Sequence, residues 1–152
     1  MIPAREASAD DLPSLVELAR VFVAESAYGW TFSDDLARWS LETRIVDPAT
    51  AALVTEDGDG VSGAVLVGYG REFCTERIGY VEKLYVHPRA RGTRAGRVLA
   101  SGADEWFRQH LCWVAFATAT AGVGQDRRFV NLLAKVGFVE IGPTLQRDYA
   151  NG

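Results

Sequence analysis

Apolar positions in the first third of the chain recur at helical spacing. Leu12, Leu15, Leu18, Ala19 and Phe22 fall on one face, predicting a helix to about Ala24. Ser8, with Asp11 three residues on, supplies a capping-box start, and the roughly alternating Met1–Ala7 before it reads as an edge strand. Tyr28-Gly29-Trp30 reads as a loop. Ser33 then caps a second helix with Asp34 and Asp35 in its first turn. That helix ends before Asp47-Pro48, because the residue ahead of a proline is pushed out of the helical region.

The period then shortens to two. Ala51–Thr55 and Val61–Gly68 read as strands joined by an Asp57–Gly60 turn with strong hairpin chemistry. Tyr69–Glu76 reads as a loop, and Tyr80–Val86 as a strand stopped by Pro88. A helix over about Ala95–His110 carries the apolar stripe Val98, Leu99, Gly102, Ala103, Trp106 and Phe107. An apolar strand follows at Cys112–Thr118, then a helix from about Asp126 to Val136 with Gly137 as its C-terminal cap. Phe138–Ile141 and Leu145–Tyr149 read as two short final strands. Helices interrupting hairpin-compatible strands predict one α+β domain over residues 1–152 with a mixed, largely antiparallel sheet. The strand–helix–strand unit around residues 80–118 is expected to be parallel.

At 152 residues and 48% hydrophobic, the chain is long enough to bury a real core. No apolar run reaches membrane-spanning length, and MIPAREASADDL is too acidic and broken to read as a signal peptide. Cys74 and Cys112 lack CxxC or His partners, which suggests reduced thiols of a cytoplasmic protein and no metal site. The net charge of −4 is unevenly spread. Residues 1–60 hold twelve acids against Arg5, Arg20, Arg38 and Arg44, so the remainder is net positive. Arg89, Arg91, Arg94 and Arg97 fall within nine residues beside His87. A local basic site on an acidic chain suits a small polyanion better than nucleic acid, which wants a broad basic face.

In VHPRARGTRAGRV a strand stops at Pro88, an Arg/Gly loop follows, and a helix begins near Ala95. The first turn of a helix leaves N–H groups unpaired and adds partial positive charge. Gly92 and Gly96 admit a ligand close to backbone, and arginines supply forked donors for phosphate. The spacing is neither the GxxxxGK(S/T) of a nucleotide P-loop nor GxGxxG. A tight connection with exposed arginines would read the same way.

The stretch LYVHPRARGTRAGRVL resembles the GNAT superfamily of acyl-CoA N-acyltransferases, whose signature is Val-x-Pro and then Arg/Gln-x-x-Gly-x-Gly/Ala at a helix start. Arg91 stands at the first position of the second element and Gly96 at the last. LLAKVGFVEIGP resembles the second signature, a helix ending in Gly-Phe before a strand. The resemblance implies a three-layer α/β/α fold with a six- to seven-stranded sheet splayed at its centre, and acetyl transfer from acetyl-CoA to a primary amine of a small molecule or peptide. It implies that the backbone of Leu84, Tyr85 and Val86 holds the pantetheine arm. The amides of Gly92, Thr93, Arg94, Ala95, Gly96 and Arg97 would hold the pyrophosphate, with the Arg91 side chain, and Arg97 or Arg89, on phosphate oxygens. It also leaves room for a homodimer through C-terminal edge strands. Two positions depart from the pattern: Arg94 stands in a glycine place, and Leu133 stands where relatives often carry the tyrosine that protonates the leaving thiolate.

Acetyl transfer needs a neutral amine and a base for its proton. Glu82, expected on one strand face with Tyr80 and Leu84, is the candidate base; the alternative is a surface pair with an arginine. Tyr149, Tyr85 or Asn131 are candidates to replace the missing acid. Glu25, Tyr28 and Trp30, with Asp34, Asp35 and Trp39, are candidates to receive a cationic amine, although Trp39 reads equally well as core and the aspartates as helix-start charges. A catalytically weak acyl-CoA-binding sensor or interaction module is the competing reading, kept open by Leu133.

Overall fold

The computed structural model describes residues 3–26, 29–71, 73–118 and 127–142. In chain order the elements are β1 (Arg5–Glu6), a 3-10 turn (Ala9–Asp11), α1 (Leu12–Glu25), α2 (Asp34–Val46), β2 (Thr50–Asp57), β3 (Gly60–Gly70) and β4 (Arg77–Val86). A second 3-10 turn (Pro88–Ala90), α3 (Ala95–Gln109), β5 (Cys112–Ala117) and α4 (Arg128–Ala134) follow. The strands form one sheet in the order β1-β2-β3-β4-β5, antiparallel except for the parallel β4–β5 pair.

Period-2 alternation sends successive strand residues to opposite faces, and each face is covered by helix. Ala52, Val54, Ala64 and Tyr85 pack against Leu12, Leu15, Val16 and Leu18 of α1 and Leu41 of α2. Ala51, Leu53, Val65, Val67 and Val81 pack on the other face against Leu99, Ala103, Trp106 and Phe107 of α3. Leu99 and Ala103 are wholly buried, while Val98, expected in the stripe, is half-buried at its margin. Three layers result.

Local chemistry sets the element ends. Asp11 accepts the Ser8 N–H at 2.8 Å, the capping geometry its spacing predicts, although a 3-10 turn precedes the α-helix. The Ser33 hydroxyl accepts the Leu36 N–H at 3.3 Å and starts α2. The β2–β3 hairpin turns tightly, with Asp57 opposite Gly60.

One expectation about the C-terminal part needs correction, and another falls on residues the structure does not describe. Phe138–Ile141 forms no strand, and Leu145–Tyr149 lies outside the described residues, so the described sheet has five strands rather than six to seven. Val139 and Ile141 are each 80% exposed. The alternating run carries strand propensity and borders the same cavity as the outer strand β5, but it pairs with no described strand.

Register along β4 departs from the simple alternation. Leu66 of β3 faces Lys83, but Val67 faces Val81, so Glu82 is an extra residue in a β-bulge. Val81 and Leu84 pack toward α3, whereas Glu82 reaches Arg44 of α2 and Lys83 borders α1 and α2. Glu82 therefore does not share a face with Leu84. Two consecutive charged side chains project on the α1/α2 side because of the bulge.

The buried Asp11 carboxylate also takes both Arg5 guanidinium nitrogens at 2.8 Å. The Arg5 bonds, with the Ser8 N–H, hold its pKa down at about 2 against the opposing effect of burial. A lowered folded-state pKa stabilises above the unfolded value near 4 and is lost as pH falls through the folded value. Asp11→Asn should thus cost about 1–2 kcal/mol in urea unfolding at pH 7. The difference from wild type should shrink between about pH 4 and 2; a pH-independent gap would show that the ion pair is not its source.

Candidate functional site

The loop after β4 is folded by its own polar groups. The Thr93 hydroxyl donates to the Ala90 carbonyl at 2.6 Å and accepts the Ala95 N–H at 3.1 Å. Gly92 takes φ +81°, a left-handed conformation that suits glycine. The first bond of α3 joins the Val98 N–H to the Arg94 carbonyl at 2.9 Å, leaving the Gly96 and Arg97 N–H groups of the first turn without helical acceptors. Arg94 has φ −80° and ψ −3°, ordinary right-handed backbone, so nothing in its conformation requires glycine. Gly96 is needed for a different reason: a Cβ there would lie 3.1 Å from Leu132 of α4.

Among the described residues the exposed side chains of Arg94 and Arg97 have no ion-pair partner. The other two arginines are engaged. Arg89 holds Asp57 at 3.2 Å and donates to the Val61 carbonyl at 2.8 Å, which turns it toward the β2–β3 hairpin. Arg91 donates to Glu25 at the end of α1, to the Tyr85 hydroxyl at 3.0 Å and to the Val86 carbonyl at 3.2 Å. Tyr85 in turn donates to Glu25 at 2.6 Å. Arg91, helped by Tyr85, holds the Glu25 carboxylate below the usual range against burial. Burial first, then the Glu25 bond, pushes the Tyr85 hydroxyl well above its ordinary value. At neutral pH the phenol stays protonated and the carboxylate charged.

This basic turn continues an open strand edge. β5 pairs with β4 only from Arg77 to Val81, so Glu82–Val86 has no strand neighbour on that side among the described residues. The His87 N–H donates to Ser62 of β3, and Arg91 reaches the Val86 carbonyl from elsewhere. Strand alternation then directs the peptide groups of Leu84 and Val86 to the open edge, and those of Tyr85 toward β3. An extended chain with amide groups could lie along this edge and place an anion on the α3 turn.

Glu82 is ion-paired with Arg44 and lies on the α2 side of the sheet. Leu133 is buried, 3% exposed, and brings no polar group to the site; Asn131 is exposed. Tyr149 and Tyr28 lie outside the described residues. Asp34 is held by Arg20 at 3.0 Å, and Trp39 is exposed rather than core. Trp30 borders a largely apolar cavity of about 330 Å³ between α1, α2, β3 and β4, with Phe22, Phe32, Leu36, Leu66 and Lys83 among its walls. Glu25 is not in that wall, so it and Trp30 do not converge on one space. Among the described residues no group of His, Cys, Asp and Glu could hold a metal ion. Burial raises the Cys112 thiol, which opposes its use as a nucleophile at neutral pH.

Three participants were not anticipated: Arg44, Lys83, and the link from Arg91 to Glu25. Lys83 left a trace in the sequence, since adjacent Glu-Lys in an otherwise alternating strand breaks the period where the bulge lies. Contacts from Arg44 and Glu25 span 38 and 66 residues and leave no local pattern.

Comparison with known proteins accords with this geometry. No curated protein matches the chain in sequence. Among solved structures, an integron cassette protein from the mobile metagenome of Cole Harbour Salt Marsh superposes with a TM-score of 0.79 at 20% identity, covering 96% of this chain and 89% of that one. A transcriptional regulator from Bacillus halodurans gives 0.78 at 18% identity, covering 98% and 100%. The aminoglycoside 6'-N-acetyltransferase AAC(6')-IG from Acinetobacter haemolyticus gives 0.74 at 16%, covering 97% of each. At such identities these likenesses establish the fold. The sequence pattern of the acetyltransferase (GNAT) family matches residues 14–138, most of the chain and both the open edge and the α3 turn, and the protein belongs to that family.

Proposed function

We propose that the protein transfers an acetyl group from acetyl-CoA to a primary amine. The observation that carries this reading is the continuity of the open β4 edge, ending at Val86, with the unpaired N–H groups at the start of α3. Peptide groups of Leu84 and Val86 suit the amides of pantetheine. Gly92, Thr93, Arg94, Ala95, Gly96 and Arg97 suit the pyrophosphate, with Arg94 and Arg97 as the free cations. Arg91 joins them only by giving up Glu25 and the Val86 carbonyl, so its present role is to fasten the loop to α1.

Acetyl-CoA supplies the activated acyl group; the chain's part is to bind it, orient the amine and take up a proton. Glu82 is the group we assign to accept the proton of the incoming ammonium, directly or through water, with Arg44 fixing the orientation of its carboxylate. Tyr149 is the proposed donor to the departing thiolate. Leu133 favours a second reading, an acyl-CoA-binding module with little turnover, because an apolar buried residue stands where a proton donor is common in the family.

Calorimetry with acetyl-CoA, paired with measurement of thiol release over a panel of amines, separates the two: binding with release supports the enzyme, and binding without release supports the module. Arg94→Glu, an exposed change that spares folding, should weaken acetyl-CoA binding about tenfold or more, as loss and reversal of a phosphate contact would. Gly96→Asp should weaken it further, through charge at the pyrophosphate and contact with Leu132. Undiminished affinity in both variants would remove the α3 turn from the cofactor site. Glu82→Gln should lower kcat by about 100-fold or more while leaving acetyl-CoA affinity unchanged; an unaltered kcat would exclude Glu82 as the base.

A further inference from the structure

The β4 bulge sets an acid and a base side by side on one face of the sheet, and next to them lies the apolar cavity. Glu82 is held by Arg44, while the adjacent Lys83 is exposed, borders the cavity and has no ion-pair partner among the described residues. Ala37, Ser40 and Leu41 of α2 also line the cavity, and Arg44 is the next residue along that face of the helix. The Nη1 of Arg44 is buried with no hydrogen-bond partner.

These groups ask for a particular molecule. The cavity wall includes Lys83 but no aspartate or glutamate. A polyamine or aminosugar would bring several cations to a place whose one neighbouring carboxylate, Glu82, is already shared with Arg44. An apolar body carrying one anion and one amine matches it: the body in the aliphatic and aromatic wall, the anion on Lys83, the amine beside Glu82. The volume of about 330 Å³ is at the small end of ligand sites and excludes large acceptors. Glu82 and Lys83 are consecutive on one face, so an amine and a carboxylate borne on one carbon atom, as in an α-amino acid, can reach both.

Resting on the acetyl-transfer reading above, we infer that the acceptor is a free α-amino acid with a bulky apolar side chain, selected by Lys83 through its carboxylate. In the reaction its ammonium group gives one proton to Glu82. The amine nitrogen then attacks the thioester carbonyl carbon, the C–N bond forms, and the C–S bond breaks with its electron pair passing to sulfur. The proposed donor, Tyr149, protonates the sulfur, and the second amine proton returns to it through solvent, giving the N-acetyl amino acid and CoA thiol. No oxidant or metal is required.

The test uses L-phenylalanine and 2-phenylethylamine, which share ring and amine and differ in the carboxylate. Calorimetric titration into the CoA-saturated protein should show L-phenylalanine binding about tenfold or more tightly, the size expected of one charge-assisted pair. In Lys83→Met the two should bind within about twofold of each other while acetyl-CoA affinity is retained. With acetyl-CoA, kcat/KM should follow the same order, and the polycation kanamycin should be the poorest acceptor. Equal binding of the two probes to wild type, or a preference that survives Lys83→Met, overturns the assignment. So does absence of L-phenylalanine binding to protein that binds acetyl-CoA, an outcome that leaves acetyl transfer to another amine standing. Failure of the wild type to bind acetyl-CoA would instead overturn the reading beneath it.

Discussion

The site depends on where β4 stops being an ordinary strand. As far as Val81 it is paired on both sides, to β3 and to β5. At Glu82 the bulge inserts one residue, and from there to Val86 only β3 remains beside it. A sheet interior with one unpaired edge is costly to maintain, because backbone groups out of water need partners. The cost is tolerable here because the edge opens toward the α3 turn, where a ligand with its own amides and phosphates can complete the pairing. The same inserted residue changes the phase of the strand, so Glu82 and Lys83 face α2 while Leu84 and Val86 continue the α3 core. One backbone irregularity thus stands where the open edge begins and turns Glu82 and Lys83 together toward α2.

Charge is distributed to match. The acidic first part of the chain does not present an open acidic bowl: Asp34 is neutralised by Arg20, Glu25 by Arg91 and Glu82 by Arg44. Among the described residues, two groups of cations near the proposed site have no ion-pair partner, Arg94 and Arg97 on the α3 turn and Lys83 beside the cavity. Arg91 links the two regions. Its bonds to Glu25 and Tyr85 tie the loop before α3 to the end of α1, and both α1 and Tyr85 also wall the cavity.

Much of the fold could be read locally. Ser8 and Asp11, Ser33, the Asp57–Gly60 turn and Pro88 each carry their own cap or turn chemistry, and elements begin and end beside them. The α3 turn was legible for the same reason, since its donors come from a continuous stretch. Contacts decided by pairing were not. The face of Glu82 is fixed by its register against β3, and the occupation of Arg91 by a carboxylate 66 residues away. Phe138–Ile141 shows the converse: alternation alone does not make a strand, even beside the cavity it shares with the outer strand β5.

The central claim is that a ligand completes the open edge and the α3 turn together. Amide hydrogen exchange with and without acetyl-CoA tests it directly. The account predicts strong protection at Leu84, Val86, Gly96 and Arg97, with little change at Tyr85, whose peptide already faces β3. Protection concentrated elsewhere, with those four amides exchanging as in the free protein, would contradict it.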